Sequence, residues 1–313
     1  MITDLAGELT RLVRGRVRRD VPLAGFTTYR IGGPAAVLIE PADADDVVQA
    51  MGAMREAGAA WLAIGLGSNL LVADAGFPGV VLRIGRGLDG VEAAGPVWRV
   101  GAGLPIPLLA RRSAAAGLAG VHRLVGVPGT VGGGVFMNAG AHGQEFKDVV
   151  RRVWLVGTDG RMEERDGAAM PWRYRSAGLG EVVVVSAEIG LAPADPRRLE
   201  AEIKAHFDWR KAGTPFNEPC CGSVFRNPGA AGQRGSGAGV RTAGQLIDAA
   251  GLKGFQIGGA QVSPVHANYI VNVGGATAAD VLRVIETIRE RVRREWDVEL
   301  ELEVKVVGLA VSG

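Results

Sequence analysis

The pattern of apolar and polar positions divides this chain into short strands and amphipathic helices. Apolar runs predict strands, which lie at 35–40, 61–65, 79–84, 97–103, 149–165 (a hairpin), 181–192, 222–225, 268–273 and 298–308. Helical spacing predicts helices at 1–20, 43–57, 106–116, 195–209, 242–250 and 277–295. Strands follow one another with and without an intervening helix, which favours an α+β fold over an all-parallel doubly wound sheet.

The composition is that of a folded globular protein with an excess of glycine. Of the 313 residues, 47% are hydrophobic and 22% are charged, and the 48 glycines are about twice the ordinary share. This length predicts two or three compact units rather than one small module. The glycines indicate many turns at which the backbone approaches another group closely.

Charge and cysteine usage exclude several classes of protein. The chain has 35 basic and 33 acidic residues, so its net charge is +2. This balance is too even for a surface that binds nucleic acid throughout. The arginine run at 11–19 is interpreted as the solvated face of the N-terminal helix. The two cysteines, Cys220 and Cys221, are adjacent, which rules out a disulfide framework and fits a reducing compartment.

The sequence shows neither a signal peptide nor a membrane span. Acids and arginines interrupt the N-terminus, and the longest uncharged run, 124–144, carries seven glycines and a proline. A soluble, cytoplasmic protein without membrane insertion is expected, and its protein partners are not apparent from the sequence.

A formal GxGxxG lies in GRGLDG at 85–90, directly after a predicted strand. The dinucleotide fingerprint must open a helix, because the pyrophosphate lies on that helix's N-terminus. The residues that follow, 91–100, predict a turn and a strand instead. We therefore reject this segment as a Rossmann site.

Two other glycine-rich loops are candidates for phosphate contact. GLGSNLL at 65–71 and GVPGTVGGG at 126–134 both combine glycines with short hydrogen-bonding side chains. Successive N–H groups in such loops form anion-binding nests, although two tight structural turns explain the pattern equally well. The sequence offers no HExxH, no CxxC pair and no GxSxG elbow, so no metal site and no serine-hydrolase site are predicted.

Three polar residues stand in unusual surroundings. Ser223 lies in CCGSVFRNP, Arg175 in WRYRS and Glu303 in ELELEVKVVG. Taken one by one, they are most simply a half-buried strand serine, a surface ion-pair arginine and the solvated face of an edge strand.

Taken together and in order, these segments resemble the UDP-N-acetylenolpyruvoylglucosamine reductases, the MurB family. The resemblance extends from about residue 27 to 308 and rests on TTYRIGGPA (27–35), GLGSNLLVADAGFPGVVL (65–82), GVPGTVGGGVFMNAGAHGQE (126–145), YRS (174–176), CGSVFRNP (221–228), GQLIDAAGLKG (244–254), VSPVHANYIVN (262–272) and LELEVKVVG (300–308). The short separation between Arg175 and Ser223 indicates the shorter subtype, which lacks an inserted segment with a substrate-gripping Tyr.

The resemblance implies a fold and a set of domains. It predicts an FAD-binding region of the vanillyl-alcohol-oxidase (PCMH) type, made of two α+β subdomains, and a C-terminal α+β substrate domain. The resulting division is an N-terminal helix at 1–20, FAD-binding subdomains at 21–95 and 96–195, and a substrate domain at 205–313.

The resemblance also implies an activity that depends on NADPH and on non-covalently bound FAD. Hydride passes from NADPH to FAD and then to C3 of the enolpyruvyl group of UDP-N-acetylglucosamine enolpyruvate, which gives UDP-N-acetylmuramate. In these roles Arg175 stabilises the developing enolate-like charge, Glu303 orients or protonates the same region, and Ser223 gives a proton to C2. Peptidoglycan synthesis would connect the protein to cell-wall biogenesis, cell shape, cell division and the cell cycle.

Binding residues follow from the same motifs. The expected cofactor contacts are Tyr29, Arg30, Gly65, Gly67, Ser68, Asn69, Leu70, Gly129, Thr130, Gly132, Gly133 and Asn138. The expected substrate contacts are Tyr174, Arg226, Asn227, Lys253 and His266, of which the histidine is equally well explained as a core residue.

Departures from the family's usual residues put peripheral contacts in doubt rather than the three catalytic residues. They lie at Thr27, Gly134, His142, Cys220 and Arg226. Two alternatives stay open at this point: another PCMH-type FAD oxidoreductase acting on a small hydroxy acid, and a flavin-binding module without turnover.

Overall fold

The computed structural model describes residues 2–229 and 241–309, and these divide into two compact units. Unit 1 consists of Met1–Val21, Ala35–Leu66 and Pro78–Trp209, and unit 2 of Pro22–Pro34, Gly67–Phe77 and Arg210–Gly313. The chain therefore passes between the units inside the first glycine-rich loop, at Leu66 and Gly67.

Helices and strands alternate irregularly along the chain, as an α+β fold requires. The helices are α1 Ile2–Leu12, α2 Ala44–Glu56, α3 Ile106–Ala115, α4 Val131–Phe136, α5 Pro196–Gly213, α6 Ala243–Ala249 and α7 Ala278–Trp296. The strands are β1 Arg16–Pro22, β2 Pro34–Glu40, β3 Trp61–Ile64, β4 Leu70–Val72, β5 Phe77–Arg83, β6 Val91–Ala94, β7 Val97–Gly101, β8 Leu118–Ala119, β9 Gly140–Ala141, β10 Gln144–Glu145, β11 Val150–Gly157, β12 Met162–Asp166, β13 Val182–Gly190, β14 Ala192–Pro193, β15 Gln256–Ile257, β16 Ala260–Val262, β17 Ile270–Asn272 and β18 Lys305–Val307.

Local capping explains why several helices begin where the sequence predicts. The Asp43 carboxylate caps α2 by accepting from the Asp46 N–H at 3.1 Å. Thr242 and Thr277 open α6 and α7 through capping boxes, each with a reciprocal side chain three residues later. These contacts satisfy the free N–H groups of each first turn, so the predicted starts are confirmed.

Unit 1 is built on two sheets around one apolar core. A four-stranded sheet has the order β1-β2-β5-β3, and a five-stranded sheet has the order β12-β11-β13-β7-β6. The second sheet is antiparallel, and its inward residues, including Val153 and Ala187, are fully buried. Strands joined directly by turns and strands joined through helices occur together, which confirms the α+β class.

Unit 2 has a separate core around α7. Apolar residues of this helix, such as Val284 and Ile288, are fully buried with residues of the small sheet β15-β16-β17. The parallel pair β4 and β18 joins Leu71 to Val306. This pair brings the residues after the first glycine-rich loop beside the last strand of the chain.

The prediction of an N-terminal helix over 1–20 is wrong beyond Leu12. Residues Arg16–Pro22 form β1, which pairs with β2. Between α1 and β1, a Cβ at Gly15 would lie 2.1 Å from the Glu40 carbonyl oxygen, so the close approach of these two segments requires glycine there. The arginines of β1 therefore lie along a strand and not on one helical face.

Two strand predictions in the second unit also need correction. Only Lys305–Val307 is a strand within 298–308, and 222–225 forms no strand beyond a single bridge of Phe225 with Leu302. The expected solvated strand face with Glu303 is therefore not formed, although burial still alternates through 298–301. The glycine-rich stretch at 228–239 lies outside the described residues from 230 onward.

The rejected GRGLDG segment behaves as expected. It contains only a short 3₁₀ turn at Arg86–Leu88 and is followed by the strand β6, so no α-helix is opened there. Across the described ranges, no helix combines the length and apolar character needed to span a membrane.

Candidate active site

Arg175 lies at the tip of a tight turn in unit 1. Arg173 and Ser176 close this turn by exchanging backbone hydrogen bonds of 2.8 and 3.1 Å. Arg175 has a φ of 57°, a left-handed conformation that is uncommon outside glycine. Its guanidinium lies 4.7 Å from the ring centre of Tyr174, which is half exposed. The turn thus presents a permanent cation next to an exposed aromatic ring.

A cavity of about 380 Å³ lies beside this turn. Its lining consists of Arg175 and residues of the segment 140–148, among them Gln144, Glu145 and Lys147. The Lys147 ammonium lies 2.6 Å from the Glu145 carboxylate, and this hydrogen bond raises the pKa of Lys147. The cavity is therefore lined by two cations, Arg175 and Lys147, and by two carboxylates, Glu145 and Asp148.

Asn138, a predicted cofactor contact, is a fully buried residue behind this cavity. Both hydrogens of its side-chain amide donate to protein acceptors. The Asn138 side chain therefore has no hydrogen left to donate to a cofactor.

The two glycine-rich loops meet in unit 1. A Cβ at Gly65 would lie 2.4 Å from Thr130 Oγ1, so glycine alone allows the two loops to approach this closely. At Gly133, by contrast, a Cβ would meet nothing nearer than Thr130 Oγ1 at 3.9 Å. This arrangement leaves bare backbone beside Thr130, which fits a cofactor phosphate that approaches the main chain.

Two backbone N–H groups of the second loop are used in hydrogen bonds within the protein. The N–H groups of Val131 and Gly132 donate to the carbonyl oxygens of Leu104 and Ala102, at 2.9 and 2.8 Å. These two amides hold the loop on the strand-to-helix connection before α3. Contacts with an anion would therefore have to come from the other amides of the loop and from Thr130.

The remainder of the first loop belongs to unit 2. Gly67 has a φ of 62°, and a Cβ there would lie 2.3 Å from the Phe26 carbonyl oxygen, so this position also requires glycine. The Asn69 side-chain amide donates to the Glu303 carbonyl oxygen at 3.1 Å, and the Asn69 carbonyl accepts from Lys305 at 3.0 Å. The loop is thus attached to the segment that carries Glu303.

The segment that carries Ser223 lies between two others in unit 2. On one side, the Val224 N–H donates to the Asn268 carbonyl oxygen at 2.9 Å, and the Asn268 side chain exchanges two hydrogen bonds with Phe225. On the other side, the Val224 carbonyl accepts from the Glu303 N–H at 2.8 Å. The structure therefore brings Ser223 and Glu303 onto neighbouring backbone segments.

Tyr269 extends this group of polar residues. Its pKa is raised by burial, and a hydrogen bond with the Ser223 hydroxyl opposes that rise. The sequence analysis missed Asn268 and Tyr269, because a polar residue beside a short strand carries no signal of the distant segment that it contacts.

Tyr29 and Cys221 form a buried pair behind Ser223. Both are almost inaccessible to solvent, and burial raises both pKa values. The predicted cofactor contact at Tyr29 would have to use its backbone, since its ring lies in the core. The neighbouring Arg30 is exposed and left-handed, with a φ of 55°.

Of the predicted substrate residues, Lys253 and His266 are neighbours. The charge of Lys253 and, more strongly, burial lower the pKa of His266, so this imidazole is neutral at pH 7. Arg226 lies 3.6 Å from Glu301, and the Asn227 side chain accepts from the Ala243 N–H at 3.1 Å. Asn227 is therefore used, at least on its oxygen, to hold the start of α6.

The predicted site residues divide between the two units. Unit 1 holds Tyr174, Arg175, Gly65, Gly129, Thr130, Gly132, Gly133 and Asn138, and unit 2 holds Tyr29, Arg30, Gly67, Ser68, Asn69, Leu70, Ser223, Arg226, Asn227, Lys253, His266 and Glu303. In the part of the chain with described coordinates, no group of three His, Cys, Asp or Glu residues could hold a metal ion.

Two family models match separate parts of the chain. The family described as "FAD binding domain" matches residues 35–165, and "UDP-N-acetylenolpyruvoylglucosamine reductase, C-terminal domain" matches residues 214–307. These two matches define an FAD-dependent oxidoreductase.

Full-length relatives narrow the assignment. The UDP-N-acetylenolpyruvoylglucosamine reductase of Halalkalibacterium halodurans is 40% identical, with 97% of this chain and 99% of that protein covered, and that of Bacillus subtilis is 38% identical, with 96% and 97% covered. The crystal structure of the MurB reductase from Thermus caldophilus is 34% identical, with a TM-score of 0.79 over 94% of this chain and 100% of that one. The chain belongs to the UDP-N-acetylenolpyruvoylglucosamine reductase (MurB) family.

Proposed function

We propose that this protein reduces UDP-N-acetylglucosamine enolpyruvate to UDP-N-acetylmuramate with NADPH, a step of peptidoglycan precursor synthesis. The observation that carries the proposal is the pairing of the Ser223 and Glu303 segments through Val224. The backbone segments that carry a small hydroxyl and a carboxylate, from distant parts of the chain, are thereby held next to each other. The full-length relatives, which are named as UDP-N-acetylenolpyruvoylglucosamine reductases, support the same substrate.

The cofactor contacts follow from the glycine-rich loops. Bound FAD supplies the hydride chemistry of the reaction. Gly65, Thr130 and Gly133 would face it with bare backbone and one hydroxyl, and Gly67 and Ser68 continue the same loop. Such surfaces suit a pyrophosphate, because oriented N–H groups attract anions.

Arg175 stabilises the negative charge that develops on the substrate carboxylate. Its guanidinium stays protonated at every physiological pH and offers a planar fork of donors to a carboxylate. The tight turn and the Tyr174 ring fix its direction before the substrate arrives. Preorganised donors of this kind stabilise a transition state more than they stabilise the ground state.

Ser223 gives the proton that C2 of the enolpyruvyl group receives. A serine hydroxyl is a very weak acid, so it can serve only a strongly basic carbon held at hydrogen-bond distance. The backbone pairing of Val224 on both sides supplies that fixed placement. Tyr269 adds a second hydroxyl in contact with Ser223, through which the serine proton can be replaced.

Glu303 acts beside Ser223 on the same region of the substrate. Its backbone is held by Val224 and by Asn69, and its side chain is half-buried. We assign it the orientation or protonation of the carboxylate end of the enolpyruvyl group.

Lys253 and His266 suit the diphosphate or sugar end of the substrate. Lys253 carries the charge, and the neutral imidazole of His266 acts as a hydrogen-bonding group. Arg226 adds a second cation, and its guanidinium already lies 3.6 Å from the Glu301 carboxylate. Tyr174, half exposed beside Arg175, offers an aromatic face.

The sequence-based division into FAD-binding subdomains at 21–95 and 96–195 and a substrate domain at 205–313 is retained as a proposal. The order of the two family matches along the chain supports it. A cytoplasmic location and a link to cell shape, cell division and the cell cycle belong to the same proposal, because the precursor pathway serves the cell wall.

Half-reactions test the assignment of Ser223. In Ser223→Ala, NADPH should bleach the flavin at the wild-type rate, while reoxidation by the enolpyruvyl substrate slows by about 10² to 10⁴-fold. Ser113→Ala is the matched control, because the buried Ser113 hydroxyl donates only to its own helix at Ala110. Equal slowing of both half-reactions in Ser223→Ala would remove Ser223 as the acid.

A further inference from the structure

We propose that Asn138 is a positioning residue that links the turn carrying Arg175 to the 145–147 segment, which lines the same cavity. This inference rests on the proposed function for its effect on turnover. Its structural part concerns unit 1 alone and can be measured without substrate.

The Asn138 side chain makes three hydrogen bonds to two different segments. Its Nδ2 donates to the Arg173 carbonyl oxygen at 3.1 Å and to Glu145 Oε2 at 3.1 Å. Its Oδ1 accepts from the Lys147 N–H at 3.0 Å. Because the residue is fully buried, solvent cannot replace any of these partners at low cost.

The first of these bonds reaches the Arg175 turn at its base. The Arg173 carbonyl oxygen also accepts from the Ser176 N–H at 3.1 Å, which closes the turn around Arg175. The Ala177 N–H donates to the Phe136 carbonyl oxygen at 3.0 Å, so the turn is attached to α4 as well. Asn138 lies two residues after Phe136, and its side chain makes the second contact between this region and the Arg175 turn.

The other two bonds reach the 145–147 segment of the cavity lining. Glu145 and Lys147 line the cavity together with Arg175, whereas Asn138 stands behind the lining. One side-chain amide therefore links the base of the Arg175 turn to the 145–147 segment of the lining. A shift of about 1 Å in such a group is enough to cost about 10²-fold in rate.

The backbone at Asn138 determines which variant tests this idea. Its φ of 42° is left-handed, and asparagine and aspartate adopt that conformation more readily than other residues with a Cβ. Asn138→Asp keeps the shape, the backbone preference and the acceptor for Lys147, and it removes both donors. It also places a second carboxylate beside Glu145.

Two results are expected for Asn138→Asp in the FAD-loaded protein. Bleaching by NADPH should stay near the wild-type rate, and reoxidation by the enolpyruvyl substrate should slow by about 10²-fold at pH 8. As the pH falls from about 8 to about 6, the rate relative to wild type should recover, because a buried aspartate beside another carboxylate has a raised pKa and regains a donor on protonation.

The charged groups that could affect this titration lie in the segment 142–148 and in the turn that carries Arg175. They are Glu145, Lys147, Asp148, His142, Arg173 and Arg175. Since all of them are present in the wild-type protein, the ratio of variant to wild-type rate at each pH isolates the new carboxyl group.

Amide hydrogen exchange supplies a readout that needs no substrate. In the ligand-free protein, Asn138→Asp should exchange faster at Ser176 and Ala177, and low pH should restore protection relative to wild type at the same pH. If wild-type flavin is not reoxidised by the substrate, the proposed function fails while this exchange comparison still decides the structural link.

Asn272→Asp is the matched control, because Asn272 Nδ2 also donates to a backbone carbonyl, that of Tyr29 at 3.1 Å. It should show no pH-dependent recovery of reoxidation. The proposal is overturned if Asn138→Asp is reoxidised like wild type at every pH, if its exchange at Ser176 is unchanged, or if Asn272→Asp shows the same recovery.

Discussion

The side-chain amide of Asn69 donates to the backbone carbonyl of Glu303 at 3.1 Å. The sequence assigned Asn69 to the cofactor and Glu303 to catalysis, and the structure connects the two residues directly. The parallel pairing of β4 with β18 begins at Leu70, directly after Asn69, and at Lys305, two residues after Glu303. The first glycine-rich loop therefore holds the Glu303 segment in place through Asn69.

Removing this donor should impair the substrate half-reaction. Asn69→Asp keeps the size of the side chain and its acceptor oxygen, but it places a carboxylate against the Glu303 carbonyl oxygen. We therefore expect the substrate to reoxidise the reduced flavin about 10-fold to 10²-fold more slowly, while the protein retains its flavin. Stopped-flow absorbance of both half-reactions measures this effect, and Asn217→Asp on an exposed loop is the control. Loss of flavin with equal slowing of both halves would mean that Asn69 acts through the cofactor instead.

Alanine at two glycines of the loops should have different consequences. Gly65→Ala clashes with Thr130 inside the protein, so it should lower the free energy of unfolding by about 1 to 3 kcal/mol even without FAD. Gly133→Ala has room within the protein and should leave the apoprotein stable while weakening FAD binding.

Chemical denaturation of the apoprotein and flavin titration separate these effects. The addition of Thr130→Ala should relieve the clash in Gly65→Ala, because the nearest remaining atom would be Thr130 Cβ at 3.3 Å. Unaltered FAD affinity in Gly133→Ala would show that the cofactor does not approach this part of the loop.

Acid should weaken the start of α7 through Asp280. Hydrogen bonds from the Thr277 N–H, the Arg283 side chain and the Thr277 hydroxyl lower the pKa of Asp280 to about 2. Because the folded value lies below the unfolded one of about 4, the stabilisation is present above about pH 4 and is lost as the pH falls towards 2.

Asp280→Asn should therefore destabilise the protein near neutral pH and bring its stability closer to wild type at pH 2 to 3. Denaturant unfolding of both proteins across that range measures the difference. A constant difference at every pH would show that the Asp280 charge is not responsible.

The Cys221 thiol should be unreactive in the folded protein. Burial, followed by the neighbouring Cys220, raises its pKa, and only the thiolate reacts with alkylating reagents. Iodoacetamide at pH 8 should modify Cys221 at least about 10²-fold more slowly in the native protein than in guanidinium. Mass spectrometry of the labelled peptide resolves the two cysteines, and equal native and denatured rates would contradict the buried arrangement with Tyr29.

Local signals made most of the fold predictable. Asp43, Thr242 and Thr277 cap helices within three residues of themselves, so the sequence alone locates those starts. The strand at Arg16–Pro22 was missed because Val13, Val17 and Val21 recur every four residues, as in a helix. Only the close approach of Gly15 to Glu40 shows that the chain turns there.

Distant pairing explains what the site analysis missed. Glu303 alternates with apolar residues like a strand residue, yet its neighbours are Val224 and Asn69, whose positions no local pattern reveals. Asn138 was identified as important, but its role in the fold could be recognised only when Arg173 and Glu145 were found on either side of it.

The most direct test is an anaerobic visible spectrum of the FAD-loaded protein, bleached with NADPH and then mixed with UDP-N-acetylglucosamine enolpyruvate. The proposed function predicts that the oxidised flavin band returns when the substrate is added and that UDP-N-acetylmuramate forms in equal amount. A flavin that bleaches with NADPH and stays bleached in the presence of that substrate would contradict the assignment.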